Sequence, residues 1–556
     1  MRGTQNGPPP ADPNIFGDPA PNAVGRKALV SDAGCVRELH GNSAERLLWY
    51  GEDLIRAKLP AGTRVIYPKP AIPGLPDREA AIRYALANPL QAQPLRSQLQ
   101  PGMRVTIAID DISLPLPMMQ RPDLRQSVLK VLLDMLGRAG VLDVEIVIAN
   151  SFHRRMEPFE IRRCVGKSIF DSYFPHRLYC HDGEDPEGIV HLGDTEQGEQ
   201  VRLNRRAAGS DLLIYVNINL VPMDGGNKSV GVGLCDYASL RAHHNPQTIR
   251  ESDSYFDHTH SPLTDSCDRM GRVVNEKLNV FHIETVVNNR MFDPRMAFFV
   301  KPEDEWNPLD RATFRTVQVG LSALPRAVKR KVLFAIPAPY ELIAVHAGAT
   351  DAVHARTLAY NYQQYCVPVD GQADAAIFGV PFICPYNVHA PMNPILVRCL
   401  TLGYFFNMYR GAPIVRKDGV FILTHPLYNE FSPSHHAAYH ELFHRCLWDS
   451  SDAAILERRF EAEFAHAPEY TEMYRNGFGY HGVHPLYMWY WAENGAQHCG
   501  HVIVVGAEDR QAAKIMGWEC AKSVDQALEM AQTFLGKSPS VAHVHIPPIN
   551  MVDVSA

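Results

Sequence analysis

Three features are missing from this chain. There is no Cys-x-x-Cys pair among its 11 cysteines, no run of lysine and arginine, and no apolar stretch long enough to cross a bilayer. An odd, scattered set of cysteines argues against a disulfide framework and fits a reducing cytoplasm. The 54 basic residues are outnumbered by 61 acidic ones, for a net charge of -7, so no nucleic-acid footprint is expected. No membrane partner is expected either. The first residues lack an apolar signal core, so secretion is not indicated.

What the chain does have is length and ordinary globular composition. At 556 residues, 46% hydrophobic and 21% charged, it exceeds one hydrophobic core and calls for two or more domains. Residues 1–34, with Gly7-Pro-Pro-Pro10 and Asp18-Pro-Ala-Pro21, read as a disordered or extended leader. From Leu47 the pattern turns globular. Arg104–Asp110 is an apolar, β-branched run ending in Asp110 and Asp111. Arg125–Ala139 has helical periodicity and stops at Gly140. Val144–Ala149 and Leu212–Val216 read as further strands. Strand alternating with helix argues for a parallel α/β sheet, whose ligands gather at the carboxyl ends of strands. Asp111, His153 and the loop leading to Lys228 all fall at such ends.

A second α/β unit follows. Lys331–Ile336, Ala375–Val380, Gly419–Leu423, Gly500–Gly506 and Val541–His545 read as strands. Leu396–Tyr409, His435–Trp448 and Ser523–Leu535 read as helices. The expected organisation is an N-terminal α/β domain over 35–289 and a C-terminal one over 290–556. Their sheets should be largely parallel, with the site in the cleft between them.

The segment Asp224-Gly225-Gly226-Asn227-Lys228 places a lysine inside a flexible glycine turn, and His243-His244 follows one helix later. Glycines allow positive φ and close backbone approach to a ligand. A lysine can join a cofactor covalently, and a neutral imidazole can hold a metal.

These segments, in order, resemble the nickel-dependent lactate racemase family, whose members carry a nickel-pincer nucleotide. The resemblance runs through Leu48-Trp-Tyr-Gly51, Asp110-Asp-Ile-Ser-Leu-Pro115, Ile148-Ala-Asn-Ser-Phe-His-Arg154, His181-Asp182, Gly225-Gly-Asn-Lys228 and His243-His244-Asn245, over roughly residues 45–250. It implies that Lys228 bears the pincer ligand and that His244, or His243 in the other register, ligates nickel. It implies His153 as general acid/base on a substrate hydroxyl. A hydride would move from the α-carbon of a small 2-hydroxy acid to the pincer ring and back. Imidazole suits the proton transfer because its ordinary pKa lies near neutrality. The turn at Gly225 and Gly226 and the Asp111–Ser113 loop are candidates to give N–H donors to the nucleotide phosphate. Pincer-synthesis proteins would be needed as maturation partners, and an assembly of several copies is compatible with the sequence.

The chain departs from the family at three places. Leu114 stands where the family pattern Asp-x-x-Arg-Pro has arginine, and no histidine lies in Asn217–Asp224, where a second catalytic one is usual. Asp224 or His389 is the expected substitute. The family's lysine in the second domain has only Arg398 near its position. Three further patterns compete. His440-Glu-Leu-Phe-His444 matches H-E-x-x-H, giving a zinc hydrolase as the alternative function, with Glu441 as base, Glu463 as third ligand and His436 on the same face. Gly231-Val-Gly233 is an incomplete dinucleotide fingerprint. Tyr404–Tyr409 and Tyr487–Trp491 read as core or interface packing. A ligand-binding relative without catalysis is the remaining alternative.

Overall fold

The computed structural model describes residue 32 and residues 34–555, so the expected leader lies almost wholly outside the described residues. The β-branched runs form the first sheet. Arg104–Asp110 is buried from Val105 onward and Leu212–Asn219 along its whole length, as parallel strands covered on both faces must be. The six strands lie in the order Leu342–Gly348, Val280–Val287, Leu212–Asn219, Arg104–Asp110, Asp143–Ala149, Leu178–Cys180. All pairs are parallel except the edge pair Leu342–Gly348 with Val280–Val287. The helix Leu124–Arg138 begins where the Asp123 carboxylate accepts the Arg125 N–H. It ends at Arg138, with Ala139 as its C-cap and Gly140 after it at φ 76°.

The second sheet has nine strands. Its path is Val36–Glu38, Arg64–Ile66, Val541–Val544, Ala373–Pro381, Val415–Thr424, His501–Val505, Glu519–Ala521, parallel after the first pair. The hairpin Arg46–Gly51 with Asp53–Ala57 joins the end of Ala373–Pro381. The fold is therefore α/β with two largely parallel sheets. The sheets do not divide the chain at residue 289. Strands from residues 36–66 belong to the second sheet, and Leu342–Gly348 closes the first. Asn288 follows the strand Val280–Val287, and its side-chain amide donates to the Ile72 carbonyl at 2.9 Å.

Chain order explains where space is left. In the first sheet the chain lays Arg104–Asp110, Asp143–Ala149 and Leu178–Cys180 in one direction. It then returns to place Leu212–Asn219 on the other side of Arg104–Asp110. In the second it lays Ala373–Pro381, Val415–Thr424, His501–Val505 and Glu519–Ala521 one way and sets Val541–Val544 on the opposite flank. Where the winding direction reverses, the connections diverge and a crevice opens at the carboxyl ends.

Three expectations are corrected. Lys331–Ile336 is no strand but part of the helix Arg326–Ala335, which stops ahead of Pro337. Its buried stripe includes Lys329 and Arg330, which pair with Asp53 and Glu52 at 2.5 and 2.8 Å, so cations on the inner face hid the helical period. The helix expected over Leu396–Tyr409 is Pro394–Arg398 running into a π-helical Cys399–Phe405. That over His435–Trp448 is Ala437–Glu441 continued by a π-helical Leu442–Cys446. Met551–Ser555 adds a strand that the sequence pattern did not signal. No helix among the described residues is long and apolar enough to cross a membrane.

Candidate functional site

The two crevices face each other across one cavity of about 240 Å³. The first sheet contributes Asp111, His153, Asp224, Lys228 and His244 to its lining, and the second contributes Ile383, Tyr386 and Ile546 from its own reversal point. His153, Lys228 and His244, far apart in sequence, thus meet at one place. Gly225 and Ser113 line it as well, whereas Gly226 and His243 do not.

Asp110 and Asp111 divide their work, as side chains on adjacent extended residues do. The Asp110 carboxylate turns into the sheet and accepts the Ile218 N–H at 2.6 Å and the Asn217 amide at 3.0 Å, tying the two strands at the reversal point. Burial pushes its pKa up to about 7, against the pull of the Ile218 N–H and Arg125. Asp111 points the other way. Its Oδ1 accepts the N–H of Ser113 at 2.9 Å and the Ser113 hydroxyl, and its Oδ2 lies 2.8 Å from His153 Nδ1. Burial alone would raise this carboxyl; the His153 imidazole and the Ser113 donors outweigh it and hold the pKa below the usual range. A charged Asp111 therefore takes the Nδ1–H of His153, which leaves Nε2 as the proton acceptor.

Lys228 stands in the first turn of the helix Asn227–Gly233. Gly225 (φ 91°) and Gly226 (φ 66°) set the turn before it. A Cβ on Gly225 would fall 2.5 Å from Asn219 Oδ1 and 2.6 Å from Glu284 Oε1, so the glycine is required by the protein's own packing. The Gly226 N–H donates to Glu284 Oε1 at 2.7 Å. That corrects the expectation of a free phosphate donor there. Burial lowers the Lys228 pKa, opposed by the Asp224 carboxylate. This favours the uncharged amine, the nucleophilic form.

Asp224 accepts the N–H groups of Leu220 and Val221 at 2.9 and 3.0 Å; burial, opposed by Lys228, pushes its pKa up to about 6. A folded-state value above the unfolded one adds stability at low pH that is lost as pH rises. Relative to Asp224→Asn, which keeps the acceptor oxygen, the native protein should lose about 2–3 kcal/mol of stability between pH 4 and pH 7. Denaturant midpoints of the two proteins across that range check this.

Of the two adjacent histidines, His244 is the one at the cavity. It lines the cavity and stacks on Trp491 with ring centroids 5.4 Å apart, whereas His243 lies behind it, fully buried. His244 Nδ1 is buried without a hydrogen-bond partner among the described residues. Burial, with the charges of His243 and Lys228, holds its pKa well below the usual range, so the imidazole is neutral and able to ligate.

The sequence offered Asp224 or His389 in place of the histidine missing from Asn217–Asp224, and a further histidine, His484, also lines the cavity. His389 lies off the cavity, its Nε2 3.8 Å from Glu160. Asp224 lines it, its Oδ2 accepting the Leu220 and Val221 N–H groups. His484, which opens the helix His484–Tyr490, reaches the cavity edge-on to His153 at 5.4 Å between ring centroids. Its Nδ1 is 2.6 Å from the Tyr439 hydroxyl, and its Nε2 is buried without a partner among the described residues. A histidine at the head of the aromatic run ending in Trp491 was the available signal. That run, read as packing, also supplies the wall behind His244.

The zinc alternative lacks its ligand set. His436 Nε2 donates to the Tyr386 carbonyl at 2.9 Å, Glu463 pairs with Arg445 at 2.5 Å, and Glu441 is held by Arg445 and Tyr470. Among the described residues no three His, Cys, Asp or Glu side chains are grouped to hold a metal.

Residues 50–256 match the family model of the lactate racemase N-terminal domain. A lactate racemase of Thermoanaerobacterium thermosaccharolyticum is 23% identical over 177 residues, 31% of this chain and 39% of that protein. One of Lactiplantibacillus plantarum is 24% identical over 176 residues, again 31% and 39%. The similar stretch spans under half the length of these relatives. The solved lactate racemase apoprotein from T. thermosaccharolyticum shares the fold, with a TM-score of 0.61 over 92% of this chain and 100% of that one, at 16% identity.

Proposed function

We propose that this chain, which carries a divergent lactate racemase N-terminal domain over residues 50–256, is an isomerase that inverts a hydroxyl-bearing carbon of a small molecule with a nickel-pincer nucleotide. The observation that supports it is the convergence of His153, Lys228 and His244 on one cavity. The residues fit the group: an amine biased towards its neutral form for covalent attachment, and a neutral imidazole with an orphaned nitrogen for the metal. When bound, the group would supply a reversible hydrogen acceptor for the substrate carbon.

The protein's part is the proton on the substrate oxygen. His153 Nε2 takes it, and Asp111 stabilises the imidazolium that forms. His484 stands beside His153, not across from it, since rings 5.4 Å apart leave no room for a substrate between them. Both imidazoles therefore address one oxygen position. Because the proton is held at oxygen and not at carbon, this pair serves both hands of the substrate as long as the oxygen stays in place while the substituents on carbon exchange sides. Tyr439 anchors His484 Nδ1 and fixes its ring.

Protein produced together with the pincer-synthesis machinery should contain nickel and show a mass increase on the peptide bearing Lys228, and Lys228→Ala should abolish the increase. Nickel-free protein with an unmodified Lys228 under those conditions would overturn the reading.

A further inference from the structure

The charge of the cavity wall bears on what it admits. Its lining contains three carboxylates, Asp110, Asp111 and Asp224, and Lys228 as the sole lysine or arginine among the described residues. The buried arginines of this region are committed elsewhere. Arg125 is held by Asp123 at 2.9 Å and by main-chain carbonyls, Arg154 by Glu160 at 2.7 Å, and Arg398 by Glu493 at 2.8 Å. Leu114, Leu116, Phe405, Met408, Trp491 and Ile546 belong to the cavity's apolar lining. Lys228 already faces Asp224, and it loses its charge altogether if it is acylated, which is the point at which this inference rests on the proposed function.

A buried carboxylate with no arginine or free lysine to meet it is costly, whereas a hydroxyl needs only one or two hydrogen bonds. We infer that the substrate is an uncharged secondary alcohol flanked by apolar or aromatic groups, and not the carboxylate of a 2-hydroxy acid. The hydroxyl goes to His153 and His484, which take up or return its proton. The flanking groups pack against Leu114, Leu116 and the aromatic wall. The upward displacement of the Asp110 and Asp224 carboxyls, to about 7 and about 6, reflects the same aversion of the site to negative charge.

The test uses the full chain as purified and needs no turnover. Mandelamide and mandelate share the hydroxyl-bearing carbon and the phenyl ring and differ in charge. Isothermal titration near neutral pH should show mandelamide bound at least tenfold more tightly, with Leu114→Arg reversing the preference. Equal affinity, tighter binding of mandelate, or no binding of either to the native chain overturns the inference. The nickel content and the Lys228 adduct report separately on the proposed function, so the two can fail independently.

Discussion

His153→Ala, in protein carrying the proposed nickel-pincer nucleotide, should lower kcat by about 10²–10⁴-fold, the usual contribution of a positioned acid/base. KM should change little, because the imidazole contributes to proton transfer more than to holding the apolar part of the substrate. Asp111→Asn should cause a smaller fall, since the imidazole remains but loses the charge that stabilises its protonated form. Its effect should also be visible without activity: the His153 ring chemical shifts should change in Asp111→Asn, because the 2.8 Å contact to a charged carboxylate is gone. Chiral chromatography of the accepted substrate reads the first outcome and NMR the second. Unchanged turnover in His153→Ala would remove His153 from the mechanism.

Arg154→Met should destabilise the protein by about 3–5 kcal/mol, the cost of leaving a buried ionic partner alone. Arg154 is 1% exposed and Glu160 0%, and the guanidinium grips both carboxylate oxygens at 2.9 and 2.7 Å. Glu160 also accepts the Glu157 N–H at 2.7 Å, closing the capping box of the helix Pro158–Val165. The pair therefore fixes the chain immediately after His153. The double variant Arg154→Met, Glu160→Met should recover much of the loss, since both charges are then gone. Denaturant midpoints of the two proteins decide it; equal loss in both would show that the pair is not what holds this segment.

The sequence was most legible where one pattern did one job. Arg104–Asp110 is buried on both faces and reads as a strand at once, and its span is that of the observed element. Lys228, His153 and His244 were legible because motifs carry order and spacing. The misreadings share a cause: pattern reading assumes that buried positions are apolar. Lys329 and Arg330 are 8% exposed yet charged, so the helix Arg326–Ala335 looked like a strand from its last apolar residues. His484 was invisible as a site residue because its partners, His153 and Tyr439, are separated from it in sequence and meet it only across the cavity. The free N–H expected at Gly226 was claimed by Glu284, a residue on a strand still to come.

The interchange of strands between the two sheets has a consequence for how this molecule is made. Residues 36–66 emerge early during synthesis, but their sheet partners at 373–381 and 541–544 emerge much later. The first sheet likewise waits for 342–348 to cover its edge. Neither half can finish before most of the polypeptide is available, so the cavity is assembled late, by closure of long loops, and bare strand edges stay exposed to neighbouring chains until then.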